Sequence, residues 1–266
     1  MTDSNPPAQT AKPDILGFKR LRIACPNRTE AVDQYRTLLG IDPVWQGRVE
    51  LPERSSSCLA AWFSLENTTL ELLELPVDSP SLVGIVFAVQ HDSESATGYG
   101  PLPEEDCRGL WLSLEPDDEF PASMEPNFDQ ETYVNADSFT PDNISRVDHL
   151  VIYTHSADDT IRLFGSDGLG IRLALDKNVP EWGGRMLFFR VGKLTLEVIE
   201  PTKPFEGTDY FWGIAYQADD INIVHQRLSK AGVKLSDLRK GRKEGSLVAS
   251  VKSHQLGIPT LLIQPR

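Results

Sequence analysis

Val147-Asp148-His149-Leu150-Val151-Ile152 has a counterpart in the first half of the chain, Phe18-Lys19-Arg20-Leu21-Arg22-Ile23. The correspondence continues outward in the same order. Leu39-Gly40-Ile41 matches Leu169-Gly170-Ile171, and Trp62-Phe63 matches Phe188-Phe189. Leu70-Glu71-Leu72-Leu73-Glu74 then matches Leu196-Glu197-Val198-Ile199-Glu200, and Gly84-Ile85-Val86-Phe87 matches Gly213-Ile214-Ala215-Tyr216. The separation between partners is nearly constant along the chain. Self-similarity that holds one period in one order signals duplicated structural units.

Each copy opens with a strand, at residues 18–24 and 148–153. A helix follows. In the first copy Thr29 is the expected cap, Ala31, Val32, Tyr35, Leu38 and Leu39 share a face, and Gly40 ends it. In the second copy Ser156 is the expected cap. Three strand-like runs complete the unit, in the second copy near 171–175, 185–191 and 194–199, giving β-α-β-β-β. A related unit follows in each copy. The clearer one, at the C-terminus, has a strand at 212–217, a helix capped by Asp220 and ended by Gly232, and strands near 233–238, 247–251 and 260–263. Its partner, 84–116, is too short, and 93–106 is rich in Ser, Gly, Pro and acids with no helical period, so a degenerate copy without its helix is expected.

The expected organisation is a disordered tail over 1–14, a domain over 15–116, an acidic linker over 117–145 and a second domain over 146–266. The linker assignment rests on residues 115–145, which hold no Lys or Arg and four prolines. Each half has enough apolar sequence to bury a core. The tail has neither the apolar run of a secretory signal nor the character of a presequence, and no stretch reaches membrane-spanning length. Three cysteines, Cys25, Cys58 and Cys107, without a CxxC pair, argue against a disulfide framework or a structural zinc site and suit a reducing cytoplasm. The net charge of −13 is unevenly shared: residues 1–145 carry 9 Lys/Arg against 25 Asp/Glu, and residues 146–266 carry 17 against 14. An acidic chain repels phosphate backbones, so nucleic acid and membrane are not expected partners, whereas the net +3 of the second half suits a small anionic ligand. Self-association into a homodimer is compatible with these features. The sequence contains no Ser-His-Asp order, nucleophilic cysteine context or phosphate loop, and Gly165, Gly168 and Gly170 do not form a dinucleotide fingerprint.

Four such units in tandem pairs, with the strand histidine of Val147–Ile152, the acidic strand Leu194-Thr195-Leu196-Glu197-Val198-Ile199-Glu200-Pro201 and the helix start Ala218-Asp219-Asp220, resemble the vicinal oxygen chelate superfamily. That group includes glyoxalase I, bleomycin-resistance proteins and extradiol dioxygenases. The resemblance covers residues 18–265 and implies an α+β fold of tandem βαβββ modules, two paired-module domains whose curved mixed sheets enclose a cleft. It implies a divalent metal (Zn, Ni, Mn or Fe) held by residues on the first and last strands of a unit, here His149 and Glu197. The same two residues are the implied catalytic pair, Glu197 as base or ligand and His149 as ligand or acid. Equivalent positions elsewhere hold Gly213 and Leu261, Gly84 and Leu112, and Arg20 with Glu71, so the metal set is incomplete. His225 and His254 are the remaining candidates, with His225 expected to face solvent from a helix. The alternative to a metal is that His149 hydrogen-bonds and Glu197 meets a base or the ligand. Arg20 and Glu71 suit an ion pair, because a guanidinium is no ligand.

Around this pair, Arg239, Lys240, Arg242 and Lys243 place four cations in five residues flanked by glycine. They read either as a solvated hairpin turn or as an anion grip. Trp182, Trp212 and Arg185 are further candidates for the ligand wall, with core packing the alternative for the tryptophans. The functional expectation is a glyoxalase-like lyase, isomerase or epimerase acting on a small anionic or carbonyl-bearing metabolite in the second half. The alternative is a non-catalytic protein that binds or sequesters such a molecule.

Overall fold

The computed structural model describes residues 13–51, 54–90, 99–117, 139–252 and 256–266, without the side chain of Trp182. The first half contains β1 (Ile15–Cys25), α1 (Arg28–Leu39), β2 (Trp45–Leu51), β3 (Ser56–Leu65), β4 (Thr68–Glu74), β5 (Ser81–Val89), β6 (Gly100–Pro101) and β7 (Trp111–Pro116). The second contains β8 (Ile144–Tyr153), α2 (Ala157–Phe164), β9 (Arg172–Val179), β10 (Gly184–Val191), β11 (Leu194–Pro201), β12 (Tyr210–Ala218), α3 (Ile221–Lys230), β13 (Arg239–Lys240), β14 (Leu247–Val251) and β15 (Thr260–Gln264). They form two mixed sheets, ordered β2-β3-β4-β1-β5-β7-β6 and β9-β10-β11-β8-β12-β15-β14-β13. The orders superimpose strand for strand, with β13 added. The fold is the duplicated α+β architecture expected, with few helices, and the first sheet curls into a half-barrel.

In every unit the first and last strands are parallel neighbours: β1 with β4, β5 with β7, β8 with β11 and β12 with β15. The duplication extends to irregularities. In the β1–β5 ladder Leu16, Lys19 and Val83 have no opposite residue, and in the β8–β12 ladder the same holds for Ser145, Asp148 and Trp212. They fall at matching positions of the two copies, Leu16 with Ser145, Lys19 with Asp148 and Val83 with Trp212. These are β-bulges, where one extra residue breaks the strict alternation of faces. They turn Lys19 towards the face of Arg20, and Asp148 towards the face of His149.

The helix caps follow local chemistry. Ser156 and Asp220 cap α2 and α3 as expected. Helix α1 begins earlier than expected: Asn27, not Thr29, is its cap, accepting the Glu30 N–H at 3.1 Å. Asn is the stronger cap, and its position puts Thr29 inside the first turn. The strand expected at 233–238 is absent apart from one bridge, Leu235 with Val251. Ser236 replaces the ladder there, its N–H donating to Ser250 O at 2.9 Å and its hydroxyl accepting from Ser250 N at 2.8 Å. Within the expected degenerate stretch, 99–106 holds the two-residue β6 and part of a turn, while 91–98 lies outside the described residues. So do residues 1–12 of the expected tail and 118–138 of the expected linker.

The two halves share their main core. Leu21, Tyr35 and Phe87 belong to the same buried cluster as Leu150, Phe189 and Tyr216. Arg227 of α3 ties the halves at the surface, donating to the Thr37, Leu38 and Asp142 carbonyls at 2.5, 2.8 and 2.7 Å. The first two are last-turn carbonyls of α1, which lack helical partners. Smaller clusters occupy the opposite sheet faces, Val49, Leu51, Cys58, Ala60, Leu73 and Trp111 on the first sheet and Val151, Val179, Met186 and Ile199 on the second. No described helix is long and apolar enough to cross a membrane.

Candidate functional site

The second sheet brings His149 and Glu197 together. The parallel ladder pairs His149 with Thr195 and Val151 with Glu197, so the two side chains are diagonal neighbours on adjacent strands. Leu196 and Val198 go to the main core and Ile199 to the opposite cluster, as alternation requires. Glu197 Oε2 lies 3.8 Å from His149 Nε2. The other imidazole nitrogen, Nδ1, is 2.8 Å from Asp148 Oδ2. An ionised carboxylate only accepts, so Nδ1 carries the proton and Nε2 is presented to Glu197. The bulge at Asp148 makes this contact between consecutive strand residues geometrically available.

The electrostatics separate the two acids. Burial pushes the Glu197 carboxyl above its ordinary range, and His149 and Arg242 oppose this only in part. Burial alone would raise Asp148 as well. There the hydrogen bond with His149, together with the charges of His149, Lys243 and Arg190, outweighs it, and the carboxyl sits below the ordinary range. The two acids of one site are thus shifted in opposite directions, Glu197 upward by burial and Asp148 downward by its imidazole partner.

Arg242 and Lys243 thus act on Glu197 and Asp148 from a turn closed by Gly241 N–H to Ser246 O at 2.9 Å. A Cβ on Gly241 would come 2.3 Å from Ser246 Oγ, which accounts for that glycine. Arg239 instead donates to Ser236 Oγ and Ser250 Oγ at 3.0 and 3.2 Å. Trp212 is the bulged residue of β12, 43% exposed, its ring 5.8 Å from Tyr153. Tyr153 is four residues along β8 from His149, so Trp212 stands at the far end of the same face, about 13 Å away. Arg185 is elsewhere. It alternates with Leu187 and Phe189 on the main-core side of β10 and forks onto Asp176 at 2.9 and 2.7 Å, with Asp158 at 2.8 Å. Trp182 lies in a 3-10 turn, and its side chain is outside the described residues. His225 does not face solvent: its Nε2 is 3.0 Å from Ser236 O and part-buried. His254 lies outside the described residues.

Among the described residues the donor set does not fit a resident divalent metal. Among the described residues no three His, Cys, Asp or Glu side chains converge as a metal site. At Gly213 a Cβ would come 2.7 Å from Pro259 O, and at Gly84 the same distance from Trp111 O, so both positions exclude a ligand side chain. The positive charges of Arg242 and Lys243 already act on Glu197 and Asp148.

The first half shows what the same positions become when closed. Glu71, 3% exposed, accepts Arg22 Nε at 3.0 Å and Trp62 Nε1 at 3.1 Å, and Arg20 Nε is 3.3 Å away. Arg20 also bonds Glu115. The expected Arg20–Glu71 ion pair is present, and the cavity is filled by guanidinium and indole. All three cysteines are buried, with the Cys25 thiol pushed up to about 12 and Cys58 and Cys107 to about 11, mainly by burial, so none is a ready thiolate. Asp148 is the site residue that sequence reasoning missed. Its signal was two consecutive charged residues in an otherwise alternating strand.

A family model for the Glyoxalase/Bleomycin resistance protein/Dioxygenase superfamily matches residues 148–249, and the second half carries a domain of this superfamily. No curated protein matches the sequence. A triple mutant of 4-hydroxymandelate synthase from Streptomyces coelicolor is 15% identical, with a TM-score of 0.64 over 96% of this chain and 93% of its own. A xylose isomerase-like TIM barrel/4-hydroxyphenylpyruvate dioxygenase fusion protein is 14% identical, with a TM-score of 0.62 over 96% of this chain and 50% of its own. The methylmalonyl-CoA epimerase from Mycobacterium tuberculosis is 19% identical over 46% of this chain and 89% of its own, with a TM-score of 0.40. The two long matches share the two-sheet vicinal oxygen chelate fold; at such identity the likeness concerns fold and not reaction.

Proposed function

We propose that the second sheet binds a small carboxylate bearing a carbonyl group and moves a proton at the carbon beside that carbonyl, without a resident metal. The observation that carries this reading is the raised Glu197 carboxyl, 3.8 Å from an imidazole whose other nitrogen is held by Asp148. In this reading Glu197 takes the C–H proton as a carboxylate. The electron pair moves onto the carbonyl oxygen, where Arg242 and Lys243 stabilise the developing charge. Returning the proton to the same or the opposite face gives exchange or epimerisation; expulsion of a neighbouring group gives elimination. In this reading His149 shares a proton with Glu197 through Nε2.

A non-catalytic binding role is the second reading, favoured by Gly213 and Leu261 standing where the fold family places ligands. Both readings need the anion grip. Calorimetric titration of a panel of 2-oxo and 3-oxo acids tests it, with Arg242→Ala expected to weaken the best binder by roughly 1.5 kcal/mol, about tenfold. Unchanged affinity in that variant would reduce residues 239–245 to a surface turn.

A further inference from the structure

A groove of 720 Å³ opens between the two halves, away from His149 and Glu197. Its walls come from both copies: Leu82, Val83 and Trp111 from the first, Tyr210 and Phe211 from the second. Its size falls in the range of small-molecule sites. Tyr210 stays 41% exposed although its ring stacks on Tyr153 at 5.6 Å and meets Phe205 edge-on at 5.3 Å.

Charge in the groove is asymmetric. Two guanidiniums approach the Trp111 ring, Arg22 at 4.3 Å from its centre and Arg54 at 4.2 Å. Arg22 is the inner one and is engaged by Glu71 and Ser113. Arg54 is exposed, and among the described residues no carboxylate lies within salt-bridge distance of it. Among the described residues two acids border the groove. Asp209, 3% exposed, is saturated: it accepts Arg108 Nε at 2.6 Å, Thr154 Oγ1 at 2.7 Å and His155 N at 2.9 Å. Glu104 stands on the exposed turn at the rim.

The walls are held at fixed separation. Arg108, at φ +59°, reaches across from the first half to Asp209 and also to Asp159 at 3.0 Å. The next residue, Gly109, approaches Thr208 so closely that a Cβ would lie 2.8 Å from its Cβ. A preformed groove loses little entropy when a ligand enters it.

We infer that this groove is a second small-molecule site, for a planar aromatic carboxylate. Its ring would lie against Val83 and the edges of the Trp111 and Tyr210 rings, and its carboxylate would meet the fork of Arg54. The site is independent of the proton-transfer reading of the second sheet.

The test uses the full chain and 2-naphthoate, followed by quenching of tryptophan fluorescence and by calorimetry. The expected result is one equivalent bound, about tenfold weaker in Arg54→Ala, partly recovered in Arg54→Lys and unaltered in Arg242→Ala. Arg54 is exposed, so its variants should keep the wild-type melting temperature. No binding to the wild type, equal affinity in Arg54→Ala, or loss of binding in Arg242→Ala instead would each overturn the assignment.

Discussion

Asp148 and His149 are consecutive residues of one strand, yet their side chains meet on one face, with Oδ2 and Nδ1 2.8 Å apart. The bulge that allows this recurs at the matching positions of the first half, Lys19 and Arg20, which converge together on Glu115. One backbone device thus serves two chemistries, an oriented imidazole in the second half and a buried cation cluster in the first.

Asp148 is a positioning residue in this account. Removing it in Asp148→Ala should leave the fold intact, cost roughly 1 kcal/mol of stability, and release the tautomer of His149. Nitrogen-15 NMR of the labelled imidazole reads this directly. The wild type should show the proton on Nδ1 and the variant a mixture; the same tautomer in both would remove Asp148 from the site.

Glu197 makes a pH prediction with a definite sign. Its carboxyl is raised in the folded state, so between the ordinary glutamate value and the raised one the folded protein holds a proton that the unfolded chain has released. Stability therefore falls as pH rises through that window. Glu197→Gln removes this loss, so the variant should be the more stable at neutral pH and its stability should be flatter across the window. Urea denaturation at a series of pH values checks it; a wild type as stable relative to Glu197→Gln above the window as below it would contradict the burial argument.

Glu71 is a structural partner, and its removal should be costly. It is surrounded by Arg20, Arg22 and Trp62 donors inside the first sheet. Glu71→Ala leaves two buried guanidiniums without their shared partner and should destabilise the chain by about 3–5 kcal/mol. Chemical denaturation measures it. A cost below about 1 kcal/mol, the scale of an exposed pair, would mean that the cations reach water and the first half is more open than described.

Much of the architecture was legible in the sequence because strand pairing obeys the repeat. The segments 18–23 and 147–152, and 70–74 and 196–200, mark the central parallel pairs. Two caps, Ser156 and Asp220, were visible from residue type. What escaped depends on interactions distant in sequence. The shared core needs Tyr35 and Tyr216 in one interior, which no local pattern announces. The segment 233–238 has strand composition but is held through Ser236. Arg185 was a candidate for the ligand wall, whereas its fork is taken up by Asp176 and Asp158. Within the site, His149 and Glu197 were visible as a pair, whereas Asp148 was hidden by the assumption of strict alternation.

Metal-free proton transfer by Glu197 is read out by hydrogen–deuterium exchange at carbon. Chelator-treated protein is incubated in D2O with pyruvate, 2-oxobutyrate and acetoacetate, and loss of the C–H signal beside the carbonyl is followed by proton NMR. Enzyme-dependent exchange is expected in at least one of these acids, insensitive to chelator and reduced about a hundredfold or more in Glu197→Gln, the scale of a lost general base. Exchange that survives in Glu197→Gln, that disappears with the chelator, or that occurs with none of the three acids would contradict it.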